Sequence, residues 1–442
     1  MLAMLLGYSL LRGLMPSVAA AEVPLLSLAA ALQRVEERNP EVESAQLAEE
    51  IAAIEAQRAR LDRYSATVSA SGGANAGVTK PWGQDAYAAA DTTWGVRANA
   101  GVPLYAGGAI RAAIDSADAG AGIARLDGVL TRRALQRAAY TAYWNIKGYE
   151  LQIAAAQEGL DLTQQALAII EAKANAGLAA GIDVNRSRVD LYSQQEVLVA
   201  QRSSLYQANQ ELLRLLHLPG DRLVLTDEAP VSAGDGVEAV SEDAGGARPE
   251  LQRIDLERAR AEAAVRAARS GALPSVALSA SAGVGSAASG LVGATPTYEA
   301  ADLRPALDAS AGLELSWNLF DLRKTHDSVA MAKLAARQVD AAAEAQKASI
   351  TADIRKAASA LAQLRDRTPL VDARVALARD NLQIVQDLYG QGSATILDLF
   401  NAQASFREAR TQGATLRVDL AIAACDLQWL LGEDPTAPGP VK

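Results

Sequence analysis

Residues 307–319 read LDASAGLELSWNL. Leu307, Ala309, Ala311, Leu313, Leu315, Trp317 and Leu319 alternate with Asp308, Ser310, Gly312, Glu314, Ser316 and Asn318. Successive side chains of a strand point to opposite faces, so this stretch predicts a strand with one wholly apolar face and one polar or charged face. Alternation by itself fits a half-buried soluble sheet as well as a lipid-facing one. Length separates the two: a stretch of about 10–13 residues exceeds the usual soluble strand and matches a tilted passage through a bilayer.

Three further stretches carry the same pattern. Val276, Leu278, Ala280, Ala282 and Val284 alternate with Ala277, Ser279, Ser281 and Gly283. Trp94, Val96, Ala98, Ala100, Val102 and Leu104 alternate with Gly95, Arg97, Asn99 and Gly101, and 66–75 repeats the pattern in small residues. Aromatics stand near the strand ends, Trp94 at one and Tyr105, Trp317 and Phe320 at the other, as an interfacial girdle requires. Hairpins at 65–104 and 275–320 supply only four strands. An open edge in lipid leaves backbone groups unpaired at several kcal/mol each, and the smallest barrels have about eight strands. A barrel made from this chain must pool strands from several subunits.

The hairpins belong to a duplication. Leu104-Tyr105 is echoed by Leu319-Phe320, Gly177 and Asp183 by Gly392 and Asp398, and Leu212, Leu215 and Leu216 by Leu427, Leu430 and Leu431, all at an offset of about 215. Upstream the offset slips to about 209, where Pro40-Glu41-Val42 matches Pro249-Glu250-Leu251, which places an insertion in a hairpin tip. The expected layout is a first repeat over 22–218 and a second over 249–432. In each, a helix precedes the hairpin, and a long helix (107–175; 322–388), a turn (177–183; 390–398) and a last helix (184–216; 399–431) follow it. Residues 219–248 read as a Gly- and Asp-rich linker, and 433–442 as a C-terminal tail.

The long helices carry coiled-coil seams. Tyr149, Ile153, Ala156, Leu160, Thr163, Leu167, Ile170 and Ala174 recur at steps of four and three, as do Leu364, Thr368, Val371, Val375, Ala378, Leu382, Val385 and Tyr389. At 1.5 Å per residue the first long helix would extend about 100 Å, and its two shorter companions stacked end to end roughly 85 Å. Pro369 falls inside the second, where it costs about 3 kcal/mol or kinks the helix. Its counterpart is Ala154, so the copies are expected to bend differently.

Composition agrees with long, closely packed helices: half of the 442 residues are hydrophobic, yet only 4% are aromatic. The formal charge of −10 disfavours a nucleic-acid surface. A single cysteine, Cys425, and two distant histidines, His217 and His326, leave neither a disulfide framework nor a metal cluster, and no cofactor is expected. No His, Cys or Ser constellation has catalytic spacing, so an enzyme is not expected. Residues 1–21 follow the order of a secretory signal peptide, an apolar run and then Ala19-Ala20-Ala21, although the basic start is missing and no cysteine follows for lipid anchoring.

The order of elements, the Leu-Tyr/Phe strand exit and the Gly-x5-Asp turn in both copies resemble the TolC family of outer-membrane efflux proteins. The likeness runs from about Leu26 to Gly432. It implies a mainly α protein with a transmembrane β-barrel: a homotrimer whose four strands per subunit close a 12-stranded barrel above a long α-helical coiled-coil barrel. It further implies an outer-membrane channel with a large periplasmic portion, partnered by a periplasmic adaptor and, through it, an inner-membrane transporter. An equatorial belt would form from the N-terminal stretch, Pro219–Arg248 and the C-terminal tail. Gly177, Leu178, Ala179, Gly392 and Ser393 match the tips where an adaptor docks, and Asp183, Asp398 and Tyr389 match the gate residues. Asp183 and Asp398 could equally serve as N-caps of the returning helices, and both roles can coexist. The family's arginine two residues past the second tip glycine is Ala394 here, so that ion pair cannot form. The competing expectation is a periplasmic adaptor, which also combines helical hairpins with β structure but has a single hairpin.

Overall fold

The structure, a computed structural model, describes residues 25–64, 66–79, 88–227, 248–292, 306–317 and 322–432. The expected signal peptide, both hairpin tips, Phe320, most of the linker and the C-terminal tail lie outside these residues. The chain divides into two compact units, one of Ala45–Gly128 with Pro249–Gln346, the other of Met1–Ser44, Val129–Arg248 and Lys347–Lys442.

The first unit holds a four-stranded antiparallel sheet. Strands β2 (Thr67–Thr79), β3 (Ala88–Ala106), β5 (Ser275–Val292) and β6 (Ala306–Ser316) lie in that order, so the two hairpins join through β3 and β5. Register aligns the alternation. Val68 pairs with Ala100, Val96 with Val284, and Val284 with Leu307, which gathers the apolar residues of all four strands on one face. Ser71, Arg97, Gly283 and Asp308 form one row on the other face. Strict alternation would give Tyr105 to that polar face. A bulge between Pro103 and Tyr105 instead sets Tyr105 opposite Val276, on the apolar side. Trp94, Tyr105 and Trp317 are all exposed, and the Trp317 indole N–H donates to the Ala272 carbonyl at 3.2 Å.

The same unit contains α5 (Pro249–Ser270), most of α2 (Pro40–Leu61), and the opening stretches of α3 (Ala109–Asn175) and α6 (Leu322–Gly390). Arg60 and Arg266 on α2 and α5 pair with Asp118 and Asp115 of α3, each at 2.8 Å. Gly107, at φ +61, starts α3 so close to the end of α5 that a β-carbon there would stand 2.7 Å from the Ser270 carbonyl oxygen.

The second unit packs the remainders of α3 and α6 with α1 (Leu28–Arg38), α4 (Gly181–Leu215) and α7 (Ile396–Leu431). Its larger core centres on Tyr143, Ile146, Leu212 and Leu216, with Ala31, Leu32 and Val35 from α1. The start of the linker forms a strand: β4 (Val224–Leu225) pairs in parallel with β1 (Leu25–Leu26). Asp227 then accepts from the Leu28 N–H (2.6 Å) at the start of α1 and from the Tyr143 hydroxyl (2.8 Å). This network and burial raise the Tyr143 phenol well above its ordinary value, burial first. Residues of both seams are buried or half-buried, including Leu160, Thr163, Ile170, Leu382 and Tyr389. Helix α6 runs unbroken through Pro369, beside which the Thr368 hydroxyl donates to the Leu364 carbonyl at 2.8 Å.

Candidate functional site: the two helical tips

Each long helix stops in the same way. Gly177 (φ +74) and Gly392 (φ +78) take the left-handed conformation that ends a helix. The N–H groups of Leu178 and Ser393 return to the carbonyls of Lys173 and Leu388 at 2.8 Å, closing a Schellman turn in both copies. Leu178 is left 78% exposed and Leu397 63%, so both tips present bare apolar side chains.

The returning helices begin at Gly181 and Ile396, three residues ahead of the sequence expectation. That corrects the capping role considered for the two aspartates: each is the third helical residue, not the cap. In the second copy Thr395 is the N-cap. Its hydroxyl accepts from the Asp398 N–H (3.2 Å) while the Asp398 carboxylate accepts from the Thr395 N–H (2.9 Å), a full capping box. Hydrogen bonds from Thr395 hold the Asp398 carboxyl below its ordinary value. In the first copy the cap position is Ala180, whose methyl group cannot accept a hydrogen bond, and Asp183 stands in the first turn without that partner.

Tyr389 is buried in a cluster with Ile170, Leu382, Leu399 and Phe406, and Ala394 packs against the same cluster. At the position where the resemblance implies an arginine, the chain therefore has apolar packing. A cation reaches the site from the other copy. The Lys173 ammonium donates to the Tyr389 carbonyl and sits 4.2 Å from the ring centroid. Burial, and then the charge of Asp183, raises the Tyr389 phenol.

Behind the cluster the copies are cross-linked by charge. Arg407 of α7 reaches Asp190 of α4 and the buried Thr163 hydroxyl of α3, each at 3.3 Å. Glu158 of α3 accepts from Arg379 of α6 (2.9 Å) and Arg410 of α7 (3.0 Å). Sequence reasoning missed Lys173, Glu158, Asp190 and Arg407. The one available signal was Gly159, a helix-weakening residue set beside the seam residue Leu160. Among the described residues no cluster of His, Cys, Asp or Glu could hold a metal ion, and no helix is long and apolar enough to cross a membrane.

Against known proteins, the family model for outer membrane efflux proteins matches residues 31–217 and 240–433, nearly the whole of both repeats. The pyoverdine export outer membrane protein OpmQ of Pseudomonas putida is 25% identical over 345 residues, covering 76% of this chain and 69% of its own length. Two solved structures share the fold at low identity. The channel CusC gives a TM-score of 0.80 at 17% identity, with 92% of each chain covered. VceC of Vibrio cholerae gives 0.74 at 17% identity, covering 92% of this chain and 96% of that one.

Proposed function

The chain belongs to the outer membrane efflux protein family and is an outer-membrane efflux channel, and from that premise we propose that it works as a homotrimeric duct gated at its helical tips. The family is one of channels rather than enzymes or adaptors.

The observation that carries closure by several subunits is the strand order, and the count of three is what the family resemblance implies. Strand β3, the second of one hairpin, pairs with β5, the first of the next, while β2 and β6 remain as edges. The same kind of pairing between β6 of one subunit and β2 of its neighbour closes three sheets into a 12-stranded barrel without a free edge. Exposed heptad rows supply matching helix faces. Leu370, Leu377 and Ile384 lie seven residues apart on α6, as do Tyr192, Val199 and Tyr206 on α4, and all are more than half exposed in the single chain. Trp94, Tyr105, Trp317 and Phe320 would mark the membrane interfaces.

In this reading the tips do two jobs. Gly177, Leu178, Ala179, Gly392 and Ser393 offer the adaptor a bare apolar edge, through which an inner-membrane transporter is joined. Asp183, Asp398 and Tyr389 stand at the aperture, and Ala394 makes closure depend on packing around Tyr389 rather than on an arginine bridge. Gel migration of the unheated protein as a trimer that collapses to a monomer on boiling, from the outer-membrane fraction, is the expected result. A monomer before boiling would overturn the trimeric duct.

A further inference from the structure

The sheet carries an ion pair in an unusual position for two strands that are not neighbours. Arg97 on β3 and Asp308 on β6 are separated by β5, about 9.5 Å of strand spacing. Their side chains nonetheless meet at 2.8 Å, each a little more than half exposed. The register explains how. Arg97 pairs with Gly283, and Gly283 pairs with Asp308, so the residue between them has no side chain. A β-carbon on Gly283 would stand 2.9 Å from the Asp308 carboxylate and 3.3 Å from the Arg97 Nε. The pair closes over the glycine.

The opposite face of these strands is lined by Val96, Ala98, Ala282, Val284 and Leu307. An arginine facing lipid near mid-membrane costs about 2–4 kcal/mol, so the row Ser71, Arg97, Gly283 and Asp308 belongs on the water side. Resting on the barrel reading above, this row is a belt on the lumen wall. Three subunits put three guanidinium groups and three carboxylates on it, each charge cancelled by its partner within hydrogen-bond distance.

We propose that the Arg97–Asp308 pair sets the charge selectivity of the barrel lumen, holding the belt neutral so that cargo of either sign passes. Glycine at 283 is the specificity-determining gap that lets the two charges meet. Unpaired, either charge would act on permeant ions directly, because fixed charges on a channel wall attract counter-ions and repel co-ions.

The test is the reversal potential of the full-length channel in planar bilayers under a low-salt potassium chloride gradient, where screening is weakest. Asp308→Asn should move it toward chloride selectivity and Arg97→Gln toward potassium selectivity, while the double variant returns to the parent value. No shift in either single variant, or shifts of the same sign, would overturn the proposal. Where a single variant fails to assemble, the exchanged pair Arg97→Asp with Asp308→Arg decides: a parent-like reversal potential supports charge cancellation, and an altered one overturns it. A parent protein that forms no conducting trimer would instead sink the duct reading on which this rests.

Discussion

The stem of Arg407 lies in the space that Gly159 leaves empty: a β-carbon at Gly159 would stand 2.9 Å from its Cδ and 3.1 Å from its Cγ. Only by passing over that gap does the guanidinium reach Asp190 and Thr163. The pair is mostly buried, with side-chain exposures of 18% and 22%, so solvent screens it weakly.

Gly159→Ala should therefore have opposite effects in two backgrounds. In the parent it displaces Arg407 and leaves Asp190 with only its hydrogen bond from Gln194, a net loss of about 1–2 kcal/mol. With Arg407→Ala already present, only helix propensity remains, and the same change should stabilise by about 1 kcal/mol. Thermal melting of the four proteins measures the sign. Equal effects in both backgrounds would refute the coupling.

Lys173→Met removes the ammonium from the Tyr389 carbonyl and from the ring face. The end of α6 should fray, with amide exchange at residues 388–392 faster by about five- to tenfold, a loss of about 1 kcal/mol. Exchange at the end of α3, beyond Lys173 itself, should change less.

Capping differs between the copies, and that can be reversed by substitution. Thr395→Ala should cost about 1 kcal/mol at the start of α7, whereas Ala180→Ser should gain a similar amount at the start of α4. The Asp398 half of the box also sets a pH dependence. Its carboxyl is held below the ordinary value of 3.8, so its contribution is full above that value and disappears as pH falls through the lower folded value. A carbon-13 titration of the Asp398 side chain should give a midpoint that rises toward 3.8 in Thr395→Ala.

Gly107→Ala forces a side chain into a left-handed residue and against a backbone carbonyl, neither of which can yield easily. A loss of at least about 1–2 kcal/mol is expected. The yield of heat-modifiable trimer should fall sharply, while Gly108→Ala, where φ is +90 but space is open, should be milder.

Asp183→Ala should leave bilayer conductance near that of the parent, because Tyr389 and Ala394 are held in the apolar cluster rather than by that carboxylate. A large rise in conductance would show that Asp183 carries closure by itself.

Much of the fold was legible because periodicity reports burial directly. The alternation at 307–319 and the four-three spacing around Leu160 and Leu382 each follow from which faces meet water or lipid. The duplication made the tips visible, since Gly177 and Gly392 recur where a chain must take positive φ. What stayed hidden depends on pairs brought together from distant positions. Lys173 has Leu388 as its repeat counterpart, and Arg407 has Tyr192, so neither charge stood out as a repeated feature. Tyr105 stands out of step with the alternation that ends at Leu104, and the bulge that turns it to the apolar side is not encoded in local pattern.

The β3–β5 seam also has a historical reading. It is the contact that separate half-length ancestors would have made with one another, six to a ring, with every tip obliged to be the same. Two repeats joined in one chain carry no such obligation. Alternate tips can differ, with Thr395 in one where the other has Ala180, and Gly159 in one where the other has Arg374. In the trimer proposed above, that lowered symmetry leaves two independent places at which one pore can be tuned.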